Sequence, residues 1–235
     1  MKHAQKNLAA LALGLVALSS PPLLVQAGES EQKAANCQGF DTLAMHLERN
    51  VTDEDGEVVL LAKTVSEGLR SLNIIAPGGR ELAEFEMSRK TIGIREFILE
   101  SPEPADLGEV LKSYPAGAYQ IRGRTISGVC IKGSATLSHT EVQVTEIVSP
   151  AEDDVVDLNN FVITWLAVPA AVSYIIAIDN ETTGTTLNAE SPSSATSFAV
   201  PADWLEPDNE YTVSVAVKIA NGNVSSVEIP VTTAP

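Results

Sequence analysis

The sequence predicts an all-β chain of two β-sandwich domains, the first a small sandwich or roll with one short helix. Three observations carry this. Apolar and polar residues alternate over short runs, as on strands that bury one face. Turn formers at Gly184, Pro201, Pro207 and Asn221-Gly222 break those runs at about the 8–12-residue spacing of sandwiches. One stretch beyond residue 27 has convincing helical spacing, at Leu107, Val110 and Leu111.

The chain opens as a secretory signal peptide over residues 1–27. Lys2 and Lys6 supply a positive start, Leu8 to Leu18 an apolar core, and Val25-Gln26-Ala27 a cleavage site. The core is shorter than the roughly 20 apolar residues a membrane helix needs. An uncleaved anchor is the alternative, which Pro21-Pro22 and Ala27 disfavour. Export to the periplasm or the extracellular space is expected, with no membrane insertion after cleavage. Residues 28–36 are small and polar and read as a flexible mature N-terminus.

The first domain is expected over residues 37–141. Phe40 to Leu47 alternates loosely and predicts a strand. Asp53-Glu54-Asp55-Gly56 predicts a turn, and Val58 to Lys63 a second strand. Leu69 to Ile74 and Glu81 to Met87 flank Pro77-Gly78-Gly79-Arg80 and predict a hairpin. Ile92, Ile94, Phe97 and Leu99 predict a strand whose change of parity implies a bulge or bend. The helix is expected over Ala105 to Ser113, capped by Asp106 and stopped by Pro115. Tyr119 to Arg124 and Val129 to Leu137 predict a last hairpin around Ser127-Gly128.

The boundary is expected near Glu141 to Pro150, and the second domain over residues 145–235. Its predicted strands are Val155 to Leu158, Phe161 to Trp165, Tyr174 to Ile178, Thr196 to Val200, Tyr211 to Ile219 and Val227 to Val231. Trp165, Tyr174, Leu205 and Tyr211 are the expected structural core. Trp204 is expected to pack at the end of the sandwich, with a contact surface as the alternative.

This second segment resembles the fibronectin type III family. Trp165 on the second strand, Ala171 and Tyr174 opening the third, and Leu205-Glu206-Pro207 leading to Tyr211 carry the resemblance. It implies an immunoglobulin-like sandwich and a tyrosine corner, in which the phenol bonds to backbone and pins a crossing loop. Where the family often has a threonine ahead of the tyrosine, this chain has Asn209. The first domain resembles an uncharacterised β-domain found ahead of fibronectin-like domains in secreted bacterial proteins. Ile98 to Pro104, Tyr114 to Tyr119 and Gly133 to His139 carry that likeness, which implies an arrangement of domains and no activity.

The formal charge is −16. From Thr145 onward there are 13 acidic residues and one basic residue, Lys218. A nucleic-acid partner needs a basic footprint, so none is expected. Cys37 and Cys130 remain after cleavage, and an even count in an oxidising compartment predicts a disulfide. Two separate buried thiols are the alternative.

Catalytic chemistry finds little support. His46 and His139 are the histidines beyond the leader, and Ser138-His139 are sequence neighbours rather than a triad. Phosphate-loop, zinc and nucleophile-elbow spacings are absent from the sequence. Asp53, Asp55 and Glu57 are the metal candidates. As an EF-hand the segment fails, because Val51 falls at the first position and Ala62 at the twelfth. An acidic turn is the favoured reading and calcium the alternative. No cofactor and no catalytic residue are assigned.

The function expected is that of an exported, non-catalytic interaction or spacer protein. Its partner would be a protein or a component of the envelope or surface. The alternative is a secreted hydrolase or a polysaccharide-binding accessory subunit.

Overall fold

Alternating burial along a strand requires a partner that matches its register, and the first hairpin supplies one. Strands β1 (Thr42–Asn50) and β2 (Asp55–Lys63) pair antiparallel from Thr42 opposite Lys63 to Asn50 opposite Asp55. The computed structural model describes residues 37–64, 67–89, 91–103 and 106–235. The expected signal peptide and the stretch 28–36 lie outside the described residues.

One layer of the first sandwich is β1, β2 and β5 (Glu96–Glu100), with β5 at the edge. The facing layer has the order β4 (Glu81–Glu86), β3 (Leu69–Ile75), β6 (Gly117–Thr125), β7 (Cys130–Leu137). Between them Met45, Leu60, Leu72, Tyr119, Ile121 and Ile131 form a continuous buried core. Helix α1 (Leu107–Ser113) begins where the Asp106 carboxylate accepts the Gly108 amide at 2.8 Å, and it buries Val110.

β5 is shorter than predicted, because the chain changes sheets at this point. Ile94 exchanges two backbone hydrogen bonds with Leu69 on β3, whereas Phe97 lies opposite Ala62 on β2. The parity change between Ile94 and Phe97 marks that crossing. Ile92 is left nearly half exposed.

One side of the sandwich is sealed. Cys37 and Cys130 form a disulfide, Gln38 bridges to Ile131, and the Asp41 amide donates to the Lys63 carbonyl. The strap therefore ties β7 to the β1–β2 layer across the edge.

In the second sandwich three strands face four. The smaller sheet has the order β13 (Ser197–Ala199), β10 (Val162–Trp165), β8 (Ile147–Ser149). The larger has the order β12 (Thr185–Pro192), β11 (Ala171–Asn180), β14 (Glu210–Ile219), β15 (Val224–Thr233). The short β9 (Val155–Val156) runs parallel to the end of β15. The Trp165 and Tyr174 rings pack at a tilt in the core with centroids 5.3 Å apart, and the Tyr174 hydroxyl accepts the Val168 amide at 2.7 Å.

Two of these strands have no counterpart in the sequence prediction. β12 is a polar edge strand whose side chains are mostly exposed, so it lacks the apolar alternation that marks a strand. β8 falls inside the stretch expected as the boundary and has three residues.

The two sandwiches share a sheet. Near its end β1 pairs parallel with the start of β15, with Glu48, Arg49 and Asn50 opposite Val224, Ser225 and Ser226. A single ladder therefore runs β12-β11-β14-β15-β1-β2-β5. Asn223 fixes the junction. Its side-chain oxygen accepts the Leu47 amide at 3.2 Å, and its nitrogen donates to the Ser138 and Thr140 carbonyls at 2.9 Å each.

Candidate functional site

The unsealed side of the first sandwich holds a cleft of about 390 Å³. Edge strands β4 and β5 form its walls. Near the β4–β5 connection they approach, with the Phe85 and Phe97 rings 6.2 Å apart. Met45, Val58 and Leu60 from the β1–β2 layer and Ile74 from β3 line the interior. Leu82, Ala83 and Phe85 on β4 and Leu99 on β5 are half-buried along the opening. Ser113 and Tyr114, at the end of α1, close the far end, where Arg80 donates to the Ser113 carbonyl at 2.9 Å. An apolar concavity with few polar groups is the usual form of a binding site.

The backbone of both walls is available to a ligand. Ser101 donates to the Val58 carbonyl, and the Arg95 carbonyl accepts from Thr64. Odd-numbered residues of β5 therefore bond to β2, and antiparallel alternation turns the N–H and C=O of Glu96, Ile98 and Glu100 to the open side. The same logic applies to β4, where Met87 donates to the Arg70 carbonyl and Leu72 lies opposite Phe85. Glu84 and Glu86 turn their backbone groups to the cleft. Their side chains, like those of Glu96, Ile98 and Glu100, are exposed.

A second concavity, of about 310 Å³, lies at the β1–β15 junction and is acidic. Asp53, Asp55 and Glu57 all line it, together with Glu48, Glu103 and Glu228. Partial burial raises the Glu57 pKa to about 7, and the charges of Glu103, Glu100 and Glu48 add to the shift. Burial likewise raises Glu228, with Asp53 and Asp179 contributing and hydrogen bonds from Asn50 and Ser214 opposing. Asp53 Oδ2 accepts from Asn50 Nδ2 at 3.0 Å. Among the described residues no three His, Cys, Asp or Glu side chains converge on one ion position.

The histidines occupy separate places. His46 Nε2 lies 2.7 Å from Glu48 Oε1, and His139 Nε2 donates to the Tyr114 carbonyl at 2.8 Å. Ser138 hydrogen-bonds to Thr140 rather than to His139.

Of the expected core residues, Trp165, Tyr174, Leu205 and Tyr211 are each at least nine-tenths buried. The Tyr211 hydroxyl accepts the Glu206 amide at 2.8 Å and the Asn180 side-chain amide at 3.1 Å. Trp204 packs on Tyr211 with ring centroids 5.6 Å apart. Asn209 donates its backbone amide to Thr233 Oγ1 at 3.0 Å, so it serves the same corner.

Sequence reasoning missed the cleft and the carboxylates that join Asp53, Asp55 and Glu57. Glu228 is far from Asp53 in sequence, and only the β1–β15 register brings it near. For the cleft, the available signal was the pair of predicted strands on either side of Arg89, both ending on half-apolar faces.

Three strands facing four, with a tyrosine corner at Tyr211, give residues 147–233 a fibronectin type III-like fold. No protein-family model matches the chain, and no curated protein does. Among solved structures it is similar to a two-domain fibronectin type III segment of chicken tenascin, at 16% identity and a TM-score of 0.32. That match covers 82% of this chain and 98% of the other. The FN1–FN3 domains of chicken CNTN1 match at 11% identity and a TM-score of 0.32, over 83% of this chain and 65% of that one. A bacterial ice-binding adhesin matches at 15% identity and a TM-score of 0.27, over 84% and 67% of the two chains. The fold assignment rests on this chain's own strand order and corner.

Proposed function

We propose that this chain is an exported, non-catalytic interaction and spacer module that works in the periplasm or outside the cell. The shared ladder carries the reading. One sheet crosses both sandwiches, held by the β1–β15 pairing and by Asn223, and presents a free edge at β12 and another at β5. A domain pair built this way holds two surfaces at a fixed separation. Edge strands are natural docking surfaces, since they offer a row of unpaired backbone groups. The opening signal sequence and the Cys37–Cys130 bridge support an oxidising compartment. The net charge of −16 speaks against nucleic acid or an anionic membrane surface as partner.

The test is site-specific photocrosslinking in the native host, with the probe placed in turn at Ile98, Asn188 and Val148. A reproducible protein adduct from one site, with the others silent, supports the module and names its face. Turnover of a polysaccharide or peptide by the purified chain, abolished by changing one carboxylate or histidine, would sink it.

A further inference from the structure

We propose that the cleft between β4 and β5 receives an extended peptide strand of a partner protein, apolar on one face and basic on the other. This rests on the interaction-module reading and names the class of partner.

Three features combine. First, the sandwich is sealed on one side by the disulfide strap and open on the other. Second, both walls of the opening are edge strands whose backbone groups face the gap, so an incoming strand finds hydrogen-bond partners at Ile98 and Glu100. Third, side chains of a strand added to β5 alternate between two different surroundings. Those beside Leu99 enter the apolar interior, above Met45 and Leu60. Those on the other face lie beside Glu96, Ile98 and Glu100, and the β4 wall offers Glu84 and Glu86 on its exposed face.

The charges choose the occupant. Glu96 is paired with Lys63 at 3.2 Å, and Glu86 lies 3.9 Å from Arg70. Glu84 and Glu100 have no ion-pair partner among the described residues. Arg80 is the cation lining the cleft, and it is engaged with Ser113. Opposite charges on neighbouring strands attract and like charges repel. A second copy of this chain, itself at −16, is disfavoured at this rim. A strand with Lys or Arg at alternate positions is favoured. Ile98, 60% exposed between two glutamates, gives that outer face an apolar contact as well.

The probe is a fluorescein-labelled peptide of about eight residues, a usual strand length, alternating valine and lysine. Its binding to the full secreted chain is followed by anisotropy, and hydrogen exchange is read at the β5 amides. Saturable binding is expected, with slowed exchange at Ile98 and Glu100. A valine–glutamate peptide should bind at least about tenfold more weakly. The surface variant Glu84→Lys/Glu100→Lys should lose a similar factor while keeping its circular dichroism. Ala83→Leu, which narrows the cleft without touching charge, should weaken binding too. The proposal is overturned by equal binding of the two peptides, by protection at β12 instead of β5, or by decanoate uptake with the lysine peptide unbound. A null peptide result beside a crosslink from Asn188 would overturn the cleft proposal and leave the module reading standing.

Discussion

Asn223, immediately before β15, accepts the backbone amide of Leu47 in β1, 176 positions away in sequence. The same side chain holds two carbonyls from the segment between the sandwiches. One buried amide group thus satisfies three backbone groups that belong to different parts of the chain.

Asn223→Ala should therefore cost more than a surface substitution. It leaves a donor and two acceptors short of partners, which is worth about 2–3 kcal/mol. Urea denaturation would read the loss. Calorimetry should show the single transition broadening or splitting as the two sandwiches uncouple. An unchanged midpoint would show that the parallel strand pairing suffices.

Tyr211→Phe tests the corner. The variant keeps the ring packed on Trp204 and removes the oxygen that accepts from Glu206 and Asn180. Asn180 is 3% exposed, so its amide gains little from water. A loss of about 1–3 kcal/mol is expected on equilibrium unfolding.

The Cys37–Cys130 bridge closes a loop of 93 residues. On the chain-entropy relation such a loop contributes about 4–5 kcal/mol. Cys37→Ser/Cys130→Ser should lose most of this, and hydrogen exchange should rise first in β7 and the strap. A midpoint within error of the parent would contradict the assignment.

Glu57 gives stability a pH dependence with a definite sign. Its folded pKa is about 7, against 4.5 for the ordinary side chain. Between these values the folded chain binds more protons than the unfolded one, so stability falls as pH rises. The favourable contribution is complete below pH 4.5 and lost as pH passes through 7. Because the side chain is partly solvated, the swing is about 1–2 kcal/mol after allowance for screening. Glu57→Gln should flatten the pH profile of the midpoint between those limits. A parallel profile would assign the swing to Glu228 or another neighbour.

Much of this architecture was readable from local pattern. β1 to β4, β6, β7, β10, β11 and β14 coincide with runs that the sequence marks by apolar alternation or a short apolar stretch, Gly128 marks the turn between β6 and β7, and Asp106 and Pro115 bound helix α1 by known cap and turn chemistry. β12 was not readable, because an edge strand with two solvated faces has no reason to alternate. The Ile92 to Leu99 run reads as one strand whose change of parity implies a bulge or bend. What it signalled was a move between sheets, and local sequence does not say which strand waits on the other side. The site suffered most. Glu48, Glu103 and Glu228 join Asp53, Asp55 and Glu57 only through pairings between distant segments, and the cleft exists only where two edges are left without a strand.

The β1–β15 pairing also has a mechanical meaning. β1 enters the overlap from one end and β15 leaves it from the other, with three residues of each side by side. Tension applied between Cys37 and Thr233 would pull the strands along their own axes in opposite directions. The junction then behaves as a lap joint, with its hydrogen bonds strained together instead of opening in turn. A module that links two surfaces under load would resist through this short overlap, with Asn223 as its rivet.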